Sequence, residues 1–260
     1  MRRYRFLRSR RKIELDITWL CNLTCFDCNR CCGEAPTTEH MSLEQIDRFI
    51  AESIERNYEW SIIRLMGGEP TLHPQFLEVI DKFVAYQRSF PKHRAPRVFV
   101  FTNGFSKKSQ KLVAQLPPGI EVVDTEKERG TVQHFGSFYV APTDVRDTTG
   151  EDFTLACSQA TSCGMGLTPY GYYHCPVAGS IDRVFGGDKG VKTLPDLDDD
   201  MFDMAEDMCS KCGFFDMDDG DIFVSQENLT PLTSDAPVSK SWSKAFEKLR
   251  SEGKNDLTRY

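Results

Sequence analysis

No hydrophobic run in this 260-residue chain is long enough to span a bilayer. No apolar stretch follows the basic start MRRYRFLRSRRK either, only the alternating KIELDIT. A secretory signal is therefore not expected, and the expected location is the cytoplasm with no membrane partner. Internal repeats and low-complexity segments are absent, which sets aside solenoids and biased tails. Histidine is scarce at five, and His40, the one nearest to the first cysteine group, has nothing around it at metal-ligand spacing. A hydrophobic share of 40% is that of an ordinary soluble protein, and this length can bury one large core or a core with a small appendage.

Charge is unevenly spread. The first twelve residues hold seven Lys or Arg and no acid, so the remainder carries −14 against −7 for the whole chain. An acidic body argues against a broad nucleic-acid surface, and the basic arm reads as a solvated, partly frayed terminus.

Cysteine is abundant. Ten are present, five of them in CNLTCFDCNRCC at 21–32. In a reducing compartment thiols are not paired structurally, so metal or catalytic roles gain weight over disulfides.

Residues 12–18 place Ile13, Leu15 and Ile17 on one face of a strand. Ser42 and Gln45 form a capping box ahead of a helix striped by Ile46, Phe49, Ile50 and Ile54. SIIRLM (61–66) is the next strand, followed by a helix with Phe76, Ile80, Phe83 and Val84 at helical spacing. RVFVF (97–101) is the third strand, a helix at 106–116 buries Leu112, Val113 and Leu116, and IEVV (120–123) is the fourth. Strands alternating with helices imply a parallel sheet with right-handed crossovers, open or part of a barrel. Past residue 130 the rhythm fails. Residues 150–221 hold five cysteines, many glycines and the acidic DLDDDMFDMAED, which suggests a small module organised by something other than apolar burial. A last helix near 240–251 carries Trp242, Phe246 and Leu249, with Gly253 as its stop.

Three motifs each follow a predicted strand: CNLTCFDC the first, GGEP (67–70) the second, and TNG (102–104) the third. In a parallel sheet those positions share the carboxyl edge of the strands, where such folds place their sites. Cys21, Cys25 and Cys28 form C-x3-C-x2-C. Three thiolates on one loop can hold three irons of a [4Fe–4S] cube and leave the fourth open to a non-protein ligand.

Over roughly residues 12–125 the sequence resembles the radical S-adenosylmethionine (radical SAM) family. The resemblance implies an α/β fold, a partial (β/α) TIM-type barrel in which Cys21, Cys25 and Cys28 bind a [4Fe–4S] cluster. S-adenosylmethionine would chelate the open iron, with Gly67, Gly68, Glu69 and Pro70 lining its methionine end and Thr102 or Asn103 touching its polar atoms. It also implies a reducing partner such as flavodoxin or ferredoxin. The family usually has an aromatic residue before the third cysteine; here Asp27 stands there and the aromatic is Phe26. Cys31 and Cys32 lie outside the triplet and read as buried small hydrophobes, with a hydrogen-atom donor as the functional alternative.

The stretch CSQATSCGMGLTPYGYYHC, followed later by CSKC, resembles the SPASM and twitch extensions of that family, which bind an auxiliary [4Fe–4S] cluster. By that resemblance Cys209, Cys212 and Cys175 are ligands, and the first ligand is Cys157 or Cys163. The competing reading is a structural zinc site of four thiolates; a redox dithiol at CSKC lacks a thioredoxin-like setting. Tyr170, Tyr172, Tyr173 and His174 read as a hairpin face, and Arg146 is a candidate catalytic residue toward a cavity. The resulting division is a barrel core at 12–145, an auxiliary-cluster module at 146–221 and a C-terminal segment at 222–260. The functional expectation is a radical SAM oxidoreductase acting on a small polar, sugar- or cyclitol-like metabolite. Peptide modification or epimerisation is the rival within enzymes, and a zinc-stabilised binding module tolerant of Glu69→Ala is the alternative of another class.

Overall fold

The computed structural model describes residues 4–125, 136–216 and 238–260, together with the backbone of two short strands at 131–133 and 229–231. Its elements in chain order are β1 (Lys12–Thr18), α1 (Leu43–Glu55), β2 (Ile62–Gly67), α2 (Phe76–Arg88), β3 (Arg97–Thr102), α3 (Lys107–Val113), β4 (Ile120–Asp124) and β5 (Thr131–Gln133). These are followed by α4 (Pro142–Val145), α5 (Ser158–Ser162), β6 (Met165–Thr168), β7 (Gly171–Tyr173), α6 (Ala178–Phe185), α7 (Phe202–Cys209), β8 (Leu229–Pro231) and α8 (Lys240–Glu252).

Six strands form one sheet in the order β4-β3-β2-β1-β6-β7, and β5 pairs with β8 apart from it. The pairs β1–β2, β2–β3, β3–β4 and β1–β6 are parallel; β6–β7 is an antiparallel hairpin. The fold is thus α/β, with the parallel sheet of a partial barrel. Ile13, Leu15 and Ile17 are fully buried on the outer face of β1, packed with Ile63, Leu65, Val98 and Val100. Ile46 and Phe49 of α1 and Phe76, Ile80 and Phe83 of α2 close this core, each such side chain stabilising by about 1.5–3 kcal/mol. The capping box at Ser42 and Gln45 is present, with both reciprocal hydrogen bonds.

The opposite, inner face of β1 is polar yet buried. Glu14 pairs with Arg30 (2.7 Å) and Arg64 (3.0 Å), and Asp16 pairs with Arg30 (3.0 Å). Arg30 comes from the cysteine loop, so this ion network ties that loop to the sheet.

Four expectations are corrected. Ile54 is 53% exposed, because it falls on the solvent edge of the α1 stripe. Helix α3 ends at Val113, and Val113 itself is only half-buried. The basic arm is not a free tail: Arg8 is buried and donates to the carbonyls of Asp196 and Asp199, while Arg10 pairs with Asp200. The arm lies along the acidic run at 196–200, whose backbone carbonyls take Arg8 and whose Asp200 carboxylate takes Arg10. Finally, 150–221 does have an apolar core. Phe153, Val177, Ile181, Met204, Met208, Phe214 and Phe215 pack with Phe138, Tyr139 and the α8 residues Trp242 and Phe246. The sheet draws β6 and β7 from beyond residue 145. Among the described residues no helix is long and apolar enough to cross a membrane.

Candidate functional site: two groups of cysteines

Every cysteine is a thiol rather than half of a disulfide. The first group lies at the carboxyl edge of the sheet. Cys21, Cys25 and Cys28 are partly exposed on the loop leaving β1. At the end of β2, a Cβ on Gly67 would fall 2.0 Å from the Thr18 carbonyl oxygen, and one on Gly68 would fall 2.4 Å from that of Leu20. Only glycine lets the two chains approach so closely. The approach is locked by hydrogen bonds from the Gly68 N–H to Thr18 O (2.8 Å) and the Glu69 N–H to Leu20 O (2.9 Å).

Glu69 is fully buried, and its carboxylate joins the three motifs. Oε1 accepts from the Thr71 hydroxyl (2.5 Å), the Thr71 N–H (3.1 Å) and the Thr102 hydroxyl (2.8 Å); Oε2 accepts from the Asn103 N–H (2.7 Å). Asn103 Nδ2 in turn donates to Asn22 Oδ1 (2.8 Å) and lies 3.9 Å from Cys21 Sγ. Pro70 begins the short 3₁₀ turn that Glu69 caps. Every residue expected at this rim is therefore brought there, with Glu69 at the hub of the network.

The turn after the triplet sorts the extra cysteines. Asp27 and Cys31 both adopt left-handed backbone, φ 48° and 53°. Burial raises the Asp27 carboxyl to about 7. Cys31 is fully buried, with its carbonyl accepting from Arg183. The buried Cys32 thiol donates to the Arg30 carbonyl oxygen (3.8 Å) and lies beside Cys21 and Cys28, whose proximity together with burial holds its pKa well above the ordinary 9.0.

The second group surrounds a small cavity lined by Cys157, Cys175, Cys209, Cys212, His174, Met208 and Phe215 among others. Helix α7 ends at Cys209, and the following turn (Cys212 N–H to Cys209 O, 3.2 Å) puts both CSKC thiols on the cavity side. Cys175 follows β7, its sulfur facing the amides of Val177 and Ala178; the Cys212 sulfur faces those of Phe214 and Phe215. Burial pushes both thiols up, Cys175 to about 12, and proximity to Cys157 adds to the effect.

Cys163 is not brought to this cavity. Its thiol donates to Gln159 Oε1 (3.0 Å), and its neighbours are Glu14 and Arg64 of the ion network. Burial raises its pKa as well. Arg146 reaches neither cysteine group. Its guanidinium is held by Asp216 (2.7 Å) and Glu151 (2.9 Å) in a partly exposed ion triad. The residue the sequence reading missed is His174, taken there as part of a hairpin face. It is 2% exposed in the cavity wall, its Nε2 lies 3.6 Å from Cys209 Sγ, and burial lowers its pKa to about 4. Its place beside Cys175 was the only signal in the sequence.

Among the described residues no three His, Cys, Asp or Glu side chains converge as a single bound ion requires. A thiolate-held cube of irons needs a wider ring, because each thiolate takes a different iron. The second cavity fits such a group: four thiols, apolar walls, and backbone N–H groups aimed at two of the sulfurs. At the rim, three partly exposed thiols with an amide beside Cys21 fit three irons of another cube.

No protein-family model matches the chain. A probable GTP 3′,8-cyclase of Pyrococcus horikoshii is 32% identical over 82 residues, 32% of this chain and 26% of that protein. One of Saccharolobus islandicus is 28% identical over 76 residues, 29% of this chain and 24% of the relative. The chain thus spans about a quarter of the length of these relatives. Among solved structures, BtrN in complex with AdoMet and 2-DOIA aligns with a TM-score of 0.47 at 15% identity, covering 77% of this chain and 92% of that one. SuiB of Streptococcus suis bound to S-adenosylmethionine aligns at 0.31 and 14% identity, over 43% of this chain and 22% of its own.

Proposed function

The chain belongs to the radical SAM family, and from that premise we propose that it oxidises a small polar metabolite carrying a hydroxyl or similar group. The observation that carries this reading is the second thiol cavity, formed by Cys157, Cys175, Cys209 and Cys212 and separate from the rim triplet. An enzyme that only moves a hydrogen atom has no need of an electron acceptor; one that oxidises a carbon does. Bound at the two sites, S-adenosylmethionine and the clusters would supply a 5′-deoxyadenosyl radical that removes a hydrogen atom, and a sink for the electron left once a proton departs. The first electron would come from a reductant of the flavodoxin or ferredoxin class.

The protein's own residues have distinct tasks in this scheme. Cys21, Cys25 and Cys28 would hold three irons. Glu69 fixes the GGEP and TNG loops against one another, and Asn103 carries that order to Cys21. The inner-face charges Glu14, Asp16, Arg30 and Arg64 pair with one another and hold the cysteine loop against the sheet. Zinc held by the same four thiolates is the competing occupant, and the metal content of the reconstituted protein separates the two.

The test is anaerobic turnover with reductant, S-adenosylmethionine and a pool of amino sugars and cyclitols. The expected result is 5′-deoxyadenosine above the substrate-free rate, matched one to one by a carbonyl product. Stimulation by a peptide pool and not by the polar pool would refute the substrate class. Deoxyadenosine with a product of unchanged oxidation level would refute oxidation.

A further inference from the structure

We propose that His174 is a positioning residue for electron acceptance: its imidazole donates Nε2–H to the Cys209 sulfur and raises the reduction potential of the cluster held by Cys157, Cys175, Cys209 and Cys212. The inference rests on the reading of those four thiols as cluster ligands.

The geometry selects one tautomer. Nε2 lies 3.6 Å from Cys209 Sγ, with both residues buried. The other ring nitrogen, Nδ1, is buried without a hydrogen-bond partner among the described residues. A proton on Nδ1 would leave an unpaired buried N–H, costing about 1–3 kcal/mol, and would set the Nε2 lone pair against a sulfur lone pair. A proton on Nε2 avoids both. The backbone that carries the ring is fixed: the His174 N–H points to Met204 Sδ (3.3 Å) on α7, and its neighbour Tyr173 is fully buried with its hydroxyl on Asp182 (2.7 Å). The ring itself is 2% exposed, so few other directions are open to it.

A hydrogen bond to a ligand sulfur draws charge from it, and this stabilises the reduced cluster, which carries one more negative charge, more than the oxidised one. The cavity already presents backbone amides to the Cys175 and Cys212 sulfurs. His174 adds a side-chain donor at Cys209, on a ligand that lies in the exit turn of a helix.

The test uses the full chain with Cys21, Cys25 and Cys28 changed to alanine, so that a single cluster remains to be titrated by anaerobic electron paramagnetic resonance. His174→Phe is expected to lower the reduction equilibrium constant about tenfold, a shift of about 59 mV for one electron. His174→Gln, which keeps an N–H donor, should stay within about threefold of the parent. A phenylalanine variant that matches the parent overturns the proposal, as does a glutamine variant that shifts as far as phenylalanine, because packing would then be the cause. Should the phenylalanine variant lose its iron, the protein labelled with nitrogen-15 histidine decides the matter by electron–nuclear double resonance. An exchangeable proton and weak nitrogen coupling support the proposal; no coupling, or the strong coupling of a directly bound nitrogen, overturns it. If the triple-alanine parent holds no iron at all, the four-thiol reading itself has failed, and this assignment with it.

Discussion

Glu69 holds more of the rim together than any other side chain, and its contacts set the cost of losing it. Glu69→Ala strands the buried donors of Thr71, Thr102 and Asn103, so a destabilisation of about 1–3 kcal/mol is expected in chemical unfolding. An unchanged unfolding midpoint would show that the network is not formed. The motif itself was plain in the sequence, but the carboxylate's partners were not, since they come from two loops distant in the chain. The ambiguity between Cys157 and Cys163 has a similar origin. They stand at the two ends of α5, six residues apart, which at 3.6 residues per turn leaves them about 120° apart around the helix axis. One faces the cavity and the other the ion network. With the rim triplet replaced by alanine, Cys157→Ala should abolish the remaining iron and Cys163→Ser should leave it; the reverse pattern in an iron assay would contradict this placement. Arg146 was singled out for its position near the auxiliary cysteines, and nothing local revealed that Glu151 and Asp216 would hold it.

At the scale of elements, the long periodic segments were legible and the short ones were not. β1, α1, β2, α2 and β3 declare themselves by alternation or helical spacing, whereas β6 is four residues long and too short to show a period. The junction after GGEP also contains a pH-sensitive joint. His73 closes the 3₁₀ turn, Nε2 donating to Met41 O ahead of α1 (2.8 Å) and Nδ1 accepting from the Gln75 N–H at the start of α2 (3.0 Å). Burial holds its pKa below the ordinary 6.5. As pH falls through 6.5 the unfolded chain takes up a proton that the folded one refuses. This contribution to stability is therefore complete above that pH and lost below it. The urea midpoint of the native protein should drop more between about pH 7.5 and pH 5.5 than that of His73→Gln. Parallel declines would assign the acid sensitivity elsewhere.

For the whole molecule, two apolar cores lie against one sheet, and each supports one group of cysteines. The first is closed by α1 and α2 on the outer face, which leaves the strand ends free to carry the rim motifs. The second depends on parts remote in sequence. Trp242 of α8 packs against Phe138, Tyr139 and Phe185 with ring centroids 5.0–5.4 Å apart, roofing the core that holds the four thiols. That long-range assembly is why the later half of the chain looked coreless in sequence while its cysteines stood out. The central claim is that these two groups of thiols hold two separate clusters. The most direct measurement is the iron and zinc content of the anaerobically reconstituted protein beside the variant with Cys21, Cys25 and Cys28 changed to alanine. About eight irons in the first, about four in the second and no zinc in either is the expected result. Zinc retained in the variant in place of iron would make the second site structural and remove the electron acceptor on which oxidation depends.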